Sequence, residues 1–368
     1  MTVEGASLRP ALLVAWPHAD RARLWPMVDA GFLPTLSHLI DSGASGPLVP
    51  APPPAPIASW ACLITGCWAH RHGILHAQEI DARGDVREAS LDARRVPAIW
   101  DAVQSTGRSV EVIGWNREAL DDPPHPVSTL GIETVIRRMV SDPSQADACH
   151  AALMARLRSA IAESIHSAEQ ARRALRECAL VAVRFRGLGV LAREFARFDP
   201  PAPDWVLPER ARLFANVFLE AWRMHDEILR TLIDASGRDR IVMLASESGL
   251  DPEALRSPPG AEVPRAMRPG LIVVAGPGIR RDAMLHGGMV PAACATLMRA
   301  MGLETSGMDA APIAGAFESD SPDVPALSTA GSAAVAPTGT VVACVSPPGA
   351  SAEARVALHE RACNLARS

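Results

Sequence analysis

Apolar positions in this chain fall into two patterns: short runs closed by glycine, and longer stretches where they recur every three or four residues. The run PALLVA, Pro10 to Ala15, reads as a buried first strand. A helix follows over Pro34 to Ser42, with proline in its first turn and Gly43 at its end. The segment VPAIWDAVQSTGRSVEVIGW repeats the theme with a helix over Ala98 to Ser105, a stop at Gly107 and an alternating strand from Ser109 to Ile113. Two units of this kind predict a parallel sheet.

Between about residues 132 and 232 the periodicity is helical, in stretches such as CHAALMARLRSAIAESI and SAEQARRALREC. The run VAVRFRGLGVL interrupts it and fits either a strand or a helix. DRIVMLASESG and GLIVVAGPG return to short apolar runs closed by glycine, the pattern of central parallel strands ending at a functional edge. Beyond Phe317 a Pro/Ser/Ala-rich stretch has little to bury, and helical periodicity returns only at the end. The expectation is α/β: one domain over residues 1–316, with a largely parallel central sheet, helices on both faces and a helical insertion over about 132–232. A linker over 317–350 and a C-terminal helix over 351–368 complete it.

Composition narrows the function classes. With 368 residues and 48% hydrophobic content the chain can bury a large core. Its 36 basic and 41 acidic residues are spread evenly, for a net charge of −5, so no basic block marks a nucleic-acid surface. Every basic residue is arginine, a bias to which no function attaches. Seven cysteines, odd in number and never spaced as CxxC, read as reduced thiols. No apolar run approaches the ~18 residues of a membrane span, and the first residues lack the pattern of a secretion signal. A cytoplasmic protein without a membrane partner is the expectation.

Five segments stand in an order that carries a resemblance: ALLVAWPHAD, GFLPTLSHLIDSGASGPL, SWACLITGCWAHRHGI, VPAIWDAVQSTGRSVEVIGW and GLIVVAGPGIRRDAMLHGG. Together they are similar to the type I phosphodiesterase/nucleotide pyrophosphatase branch of the alkaline phosphatase superfamily. The most specific is Ser59 to Ile74, with Thr65-Gly66 followed by His72-Gly73-Ile74. The resemblance implies an alkaline phosphatase-like fold and phosphoric-ester hydrolysis with two zinc or manganese ions and a Thr or Ser nucleophile. One ion activates the hydroxyl, the other steadies the leaving oxygen, and carboxylates with imidazoles hold both.

Carried over position by position, that site is degenerate here. Pro17 stands at the first metal ligand and Pro56 at the nucleophile, where the ring suits a helix's first turn but offers no hydroxyl. Gly189 and Arg193 replace an Asp and a His, Glu247 and Ser248 replace an Asp-His pair, and a final His position falls on Ala266. With nearly all ligands absent together, no catalytic residue and no bound metal or other cofactor is expected. Glu247 and Arg193 are expected to meet as an ion pair where a metal would sit.

His18, Asp20, Ser59, Arg193 and Glu247 are the candidate pocket residues. His70, His72 and His76 resemble a metal cluster, but His72 matches the family's structural turn and the other two fit surface loops. The leading expectation is a bacterial pseudoenzyme that binds or scaffolds an unknown small molecule or protein. A runner-up is an active hydrolase with a metal-poor site built from Glu247, His18, Asp20 and Ser59. A third reading is an interaction module acting through residues 351–368, whose HERACNLARS resembles the first helix of a tetratricopeptide repeat.

Overall fold

The computed structural model describes residues 8–52, 55–80, 83–115, 129–258 and 267–318. Ala266, nearly all of the expected linker and the C-terminal helix over 351–368 lie outside the described residues. The strands are β1 (Ala11–Ala15), β2 (Gly43–Leu48), β3 (Gln78–Ile80), β4 (Val86–Glu88), β5 (Val110–Ile113), β6 (Leu180–Arg184), β7 (Ile241–Ala245), β8 (Gly270–Ala275) and β9 (Ala283–Met284). Seven of them form one sheet in the order β5-β6-β1-β7-β8-β2-β9, while β3 and β4 make a separate hairpin.

The sheet is largely parallel, as the patterning predicts, with one reversal. β8, the GLIVVAGPG run expected to be parallel, pairs antiparallel with both β7 and β2. A strand buried on both faces is apolar throughout in either direction, so its composition carries no sign of its polarity. The connection from β7 carries the short helix Pro252–Arg256 among its described residues.

Alternate residues of each strand feed two cores. Leu12 and Val14 of β1, with Val242 and Leu244 of β7, join one core together with helices Pro34–Asp41, Pro143–Ala174, Arg186–Phe195 and Val217–Ser236. Leu13 and Ala15, with Met243 and Ala245, join the other, under helices Pro56–Thr65, Ile99–Ser105 and Val290–Met301. Burial on both faces explains why these strands read as unbroken apolar runs.

The ambiguous run VAVRFRGLGVL is both things in turn: strand β6, then the helix Arg186–Phe195. β6 lies inside the stretch read as a helical excursion yet is a central strand, in parallel register with β1 on one side and β5 on the other. Pairing on two sides decides the matter, and pairing has no local signature. No helix among the described residues is long and apolar enough to cross a membrane.

Arg240 fastens the N-terminal end of the sheet. Its buried guanidinium donates to the carbonyls of Ala11 (3.1 Å), Ala179 (3.4 Å), Leu175 (3.0 Å) and Cys178 (3.1 Å), and to Ser236 (3.3 Å). These carbonyls belong to β1 and to the segments leading into β6 and β7, so one side chain ties three neighbouring strands. Arg240→Met leaves buried acceptors unsatisfied and is expected to lower stability by ~3 kcal/mol, read as a shift in the urea midpoint with an unchanged slope.

Candidate functional site

The strand register brings the singled-out positions together. Ala15 of β1 is level with Arg184 of β6 and with Ala245 of β7, so Pro17, Arg186 and Glu247 follow each strand end by two residues. The ladder runs one step further, with Phe185 N–H donating to Ala15 O (3.1 Å) and Trp16 N–H to Ala245 O (3.0 Å). His18 then turns the chain with φ of 64°, a left-handed value uncommon outside glycine. Pro56 opens the helix Pro56–Thr65, and the helix Arg186–Phe195 supplies Gly189 and Arg193.

A cavity of about 20 Å³, room for about one water, sits among these elements. Pro17, His18, Pro56, Gly189, Arg193 and Glu247, all singled out from the sequence, line it. So do Trp60, Arg184 and Arg186, which sequence reasoning missed. The available signal was the run VAVRFR itself, where two arginines break an otherwise apolar strand end.

The cavity is ringed by guanidinium groups. Arg184 is 2% exposed and its Cζ lies 4.7 Å from the centre of the Trp60 ring, a cation–π contact. Arg186 Nε stands 3.4 Å from Glu163 Oε1, and the other oxygen of Glu163 accepts the N–H of Gly187 at 2.8 Å. Burial raises the Glu163 carboxyl above its ordinary pKa, against the pull of Gly187 and Arg186. Arg193 is exposed at the rim.

Glu247 is 1% exposed and its Oε1 lies 3.6 Å from His18 Nδ1. Burial first, then Arg193 and Arg184, lower the His18 pKa to about 3, so its imidazole is neutral near pH 7. At that distance and charge the contact is neither a hydrogen bond nor an ion pair. Arg193 and Glu247, expected to meet as an ion pair, both line the cavity, and the neutral His18 ring stands beside the carboxylate. Arg193 projects from the exposed end of its helix, whereas His18 is brought in by the turn directly after β1.

Gly189 and Pro17 pack on each other. A Cβ built on Gly189 would lie 3.0 Å from Pro17 Cβ and 3.3 Å from its Cγ, so the helix approaches the end of β1 too closely for a longer side chain. Ser248 is buried, and its carbonyl lies 2.9 Å from the Ser246 hydroxyl, which also accepts Ala19 N–H at 3.1 Å.

The remaining candidates lie elsewhere. Asp20 is neither on a solvated loop nor in the cavity. It is 4% exposed and caps the helix Arg21–Asp29, accepting Arg23 N–H at 2.9 Å and Leu250 N–H at 3.3 Å. Ser59, given a capping or packing role by its position, is interior to its helix, fully buried and outside the cavity lining, and its hydroxyl finds no hydrogen-bond partner among the described residues. His72 is buried: its Nδ1 accepts Ile74 N–H at 3.1 Å, which leaves Nε2–H to face Cys62 Sγ at 3.2 Å. His70 is exposed and His76 half-buried.

A divalent pair does not fit this donor set. The cavity offers one carboxylate and one imidazole nitrogen against three guanidinium groups, and no hydroxyl at Pro56. Among the described residues no group of three or more His, Cys, Asp or Glu side chains is placed to hold a metal ion.

Two outcomes follow. Gly189→Ala gains ~1 kcal/mol of helix propensity but presses on Pro17, so it is expected to be more stabilising in a Pro17→Gly background than in the native chain by ~1 kcal/mol, which a double-mutant cycle measures. Burial also lowers His72 and His225 to about 4, alongside His18 at about 3. Unfolded imidazoles titrate near 6.5, so below that pH the unfolded chain binds more protons and stability falls with acidification toward pH 4. The loss is on the order of 1 kcal/mol per pH unit for each ring. It is tempered by Asp20, Glu163 and Asp226, whose carboxyls burial raises and which therefore bind protons first in the folded chain. Urea midpoints at pH 7, 6 and 5 check the sign.

The model of the family "Type I phosphodiesterase / nucleotide pyrophosphatase" matches residues 22–259. Among solved structures, a putative sulfatase from Bacteroides thetaiotaomicron is 13% identical, with 86% of this chain and 75% of that one covered and a TM-score of 0.52. A 2-O GAG sulfatase is also 13% identical, with 86% and 74% covered and a TM-score of 0.50. At these identities the likeness is one of fold, that of the alkaline phosphatase superfamily. No curated protein matches the sequence. With nearly two thirds of its length matched by that model, the chain belongs to the type I phosphodiesterase/nucleotide pyrophosphatase family.

Proposed function

We propose that this chain keeps the phosphodiesterase fold without two-metal hydrolysis and acts as a binding or scaffolding protein. The observation that carries the reading is the exchange of charge at the strand ends. Where a metal-dependent site needs several anionic or neutral donors around cations, this cavity holds Arg184, Arg186 and Arg193 as cations of its own. A divalent ion entering there would meet like charge at close range, with Glu247 as the one carboxylate in the lining. The packing of Gly189 on Pro17 supports the same reading, because it takes up space that ligand side chains would need.

The rival reading, a hydrolase built from Glu247, His18, Asp20 and Ser59, draws less support. The Asp20 carboxylate is engaged by two main-chain N–H groups, and the Ser59 hydroxyl lies outside the cavity. His18, the remaining base, is neutral and faces a carboxylate with no hydroxyl between them.

The test is metal analysis and turnover on the full chain. After incubation with zinc or manganese and dialysis, no stoichiometric metal is expected by mass spectrometry, and no hydrolysis of bis(4-nitrophenyl) phosphate above buffer. Retained metal with turnover that Glu247→Gln abolishes would overturn the proposal.

A further inference from the structure

We infer that the chain carries a second binding site, on its helical side, for an organic anion with a flat apolar body. This does not rest on the reading of the strand-end cavity. A cleft of about 510 Å³ opens between the long helix Pro143–Ala174, the turn Ala196–Phe198 and the segment leading into helix Pro208–Phe214. That volume lies within the range of ~300–1,000 Å³ typical of small-molecule sites, whereas the strand-end cavity is far below it.

The lining states the chemistry. Phe198 and Trp205 offer aromatic faces, Leu153, Val206 and the exposed Leu207 offer aliphatic surface, and no acidic side chain takes part. Arg197 lies 5.9 Å from the Phe198 ring centre and 6.0 Å from that of Trp205, held by a bond from its Nε to Glu194 O at 2.8 Å. Arg210 stands at the same cleft and makes no ion pair among the described residues. Trp205 is itself oriented by its N–H, which donates to Arg256 O at 2.7 Å. Two guanidinium groups without carboxylate partners beside two aromatic rings select a ligand with an anionic head and an aromatic body.

A separate observation points to the same place. The long helix is broken where it borders the cleft: His150, about two turns into a 32-residue helix, has φ −138° and ψ 41°, outside the helical region. Its Nε2 is buried and has no hydrogen-bond partner, and its ring packs 5.9 Å from that of Phe214. The break lies where the helix borders the cleft, whose lining takes Cys149, His150, Ala151, Ala152 and Leu153 in succession, and it leaves a buried polar ring atom beside the cleft without a partner among the described residues.

Calorimetry on the full chain tests the site with 2-naphthoate and 2-naphthalenesulfonate, and with neutral 2-naphthalenemethanol as control. Both anions are expected to bind at one site, and the alcohol about tenfold or more weakly. Arg210→Glu, an exposed change that leaves the denaturation midpoint in place, is expected to weaken both anions by about tenfold or more. Bound ligand is also expected to slow alkylation of the exposed Cys149 at the cleft's edge. Equal affinity for the alcohol, an unchanged affinity in Arg210→Glu, or no binding by either anion would overturn the inference. Tight binding of only one anion would keep the site and define its head group.

Discussion

Five main-chain carbonyls converge on the single guanidinium of Arg240, which ties together the starts of β1, β6 and β7, the strands whose far ends build the site. Arginine suits the task because its planar fork carries five N–H donors and keeps its charge even when burial lowers its pKa, as here. Tied at their beginnings, β1, β6 and β7 run in matched parallel register, Ala11 level with Leu180 and Ile241, and so end together. The strands are level at both ends, and the site is built on the far ones.

At that far end side chains carry the positive charge. A site for metal cations needs donors that converge and repel one another until the ion arrives. Here the positive charge belongs to the polymer: Arg184 stacked on Trp60, Arg186 held by Glu163, Arg193 at the rim. The electrostatic consequence is visible in His18, whose imidazole is kept neutral by burial first, then by Arg193 and Arg184. The steric one is visible in Gly189, which lies against Pro17. None of this disturbs the two cores, because alternate strand residues are buried whatever the strand ends carry. Fold and site chemistry are separable here for that reason.

Much of the architecture was legible in the residues. The Pro10–Ala15 run, the proline-led helix at Pro34, and the strand after Gly107 form within a residue or two of where patterning puts them, since burial period, proline and glycine act locally. The positions around the cavity were legible too: Pro17, Pro56, Gly189, Arg193 and Glu247 come together as the family motifs imply. Asp20 was misread because a carboxylate just past a strand looks the same whether it faces a ligand or caps the next helix. Arg184 and Arg186 were missed because an arginine in a strand gives no sign of what lies across from it.

By itself, then, the sequence pointed to an α/β chain of the phosphodiesterase kind, and its order of motifs picked out Pro17 and Pro56, which the structure brings to one cavity. Those facts depend on residue identity and short-range order, which a linear string preserves. The tertiary structure alone decided the reversed direction of β8, the centrality of β6, the ring of arginines around a cavity the size of a water, and the larger cleft at the His150 break. Each of these depends on which segments, distant along the chain, are pressed together. Contact of that kind is set by burying the whole set of apolar faces at once.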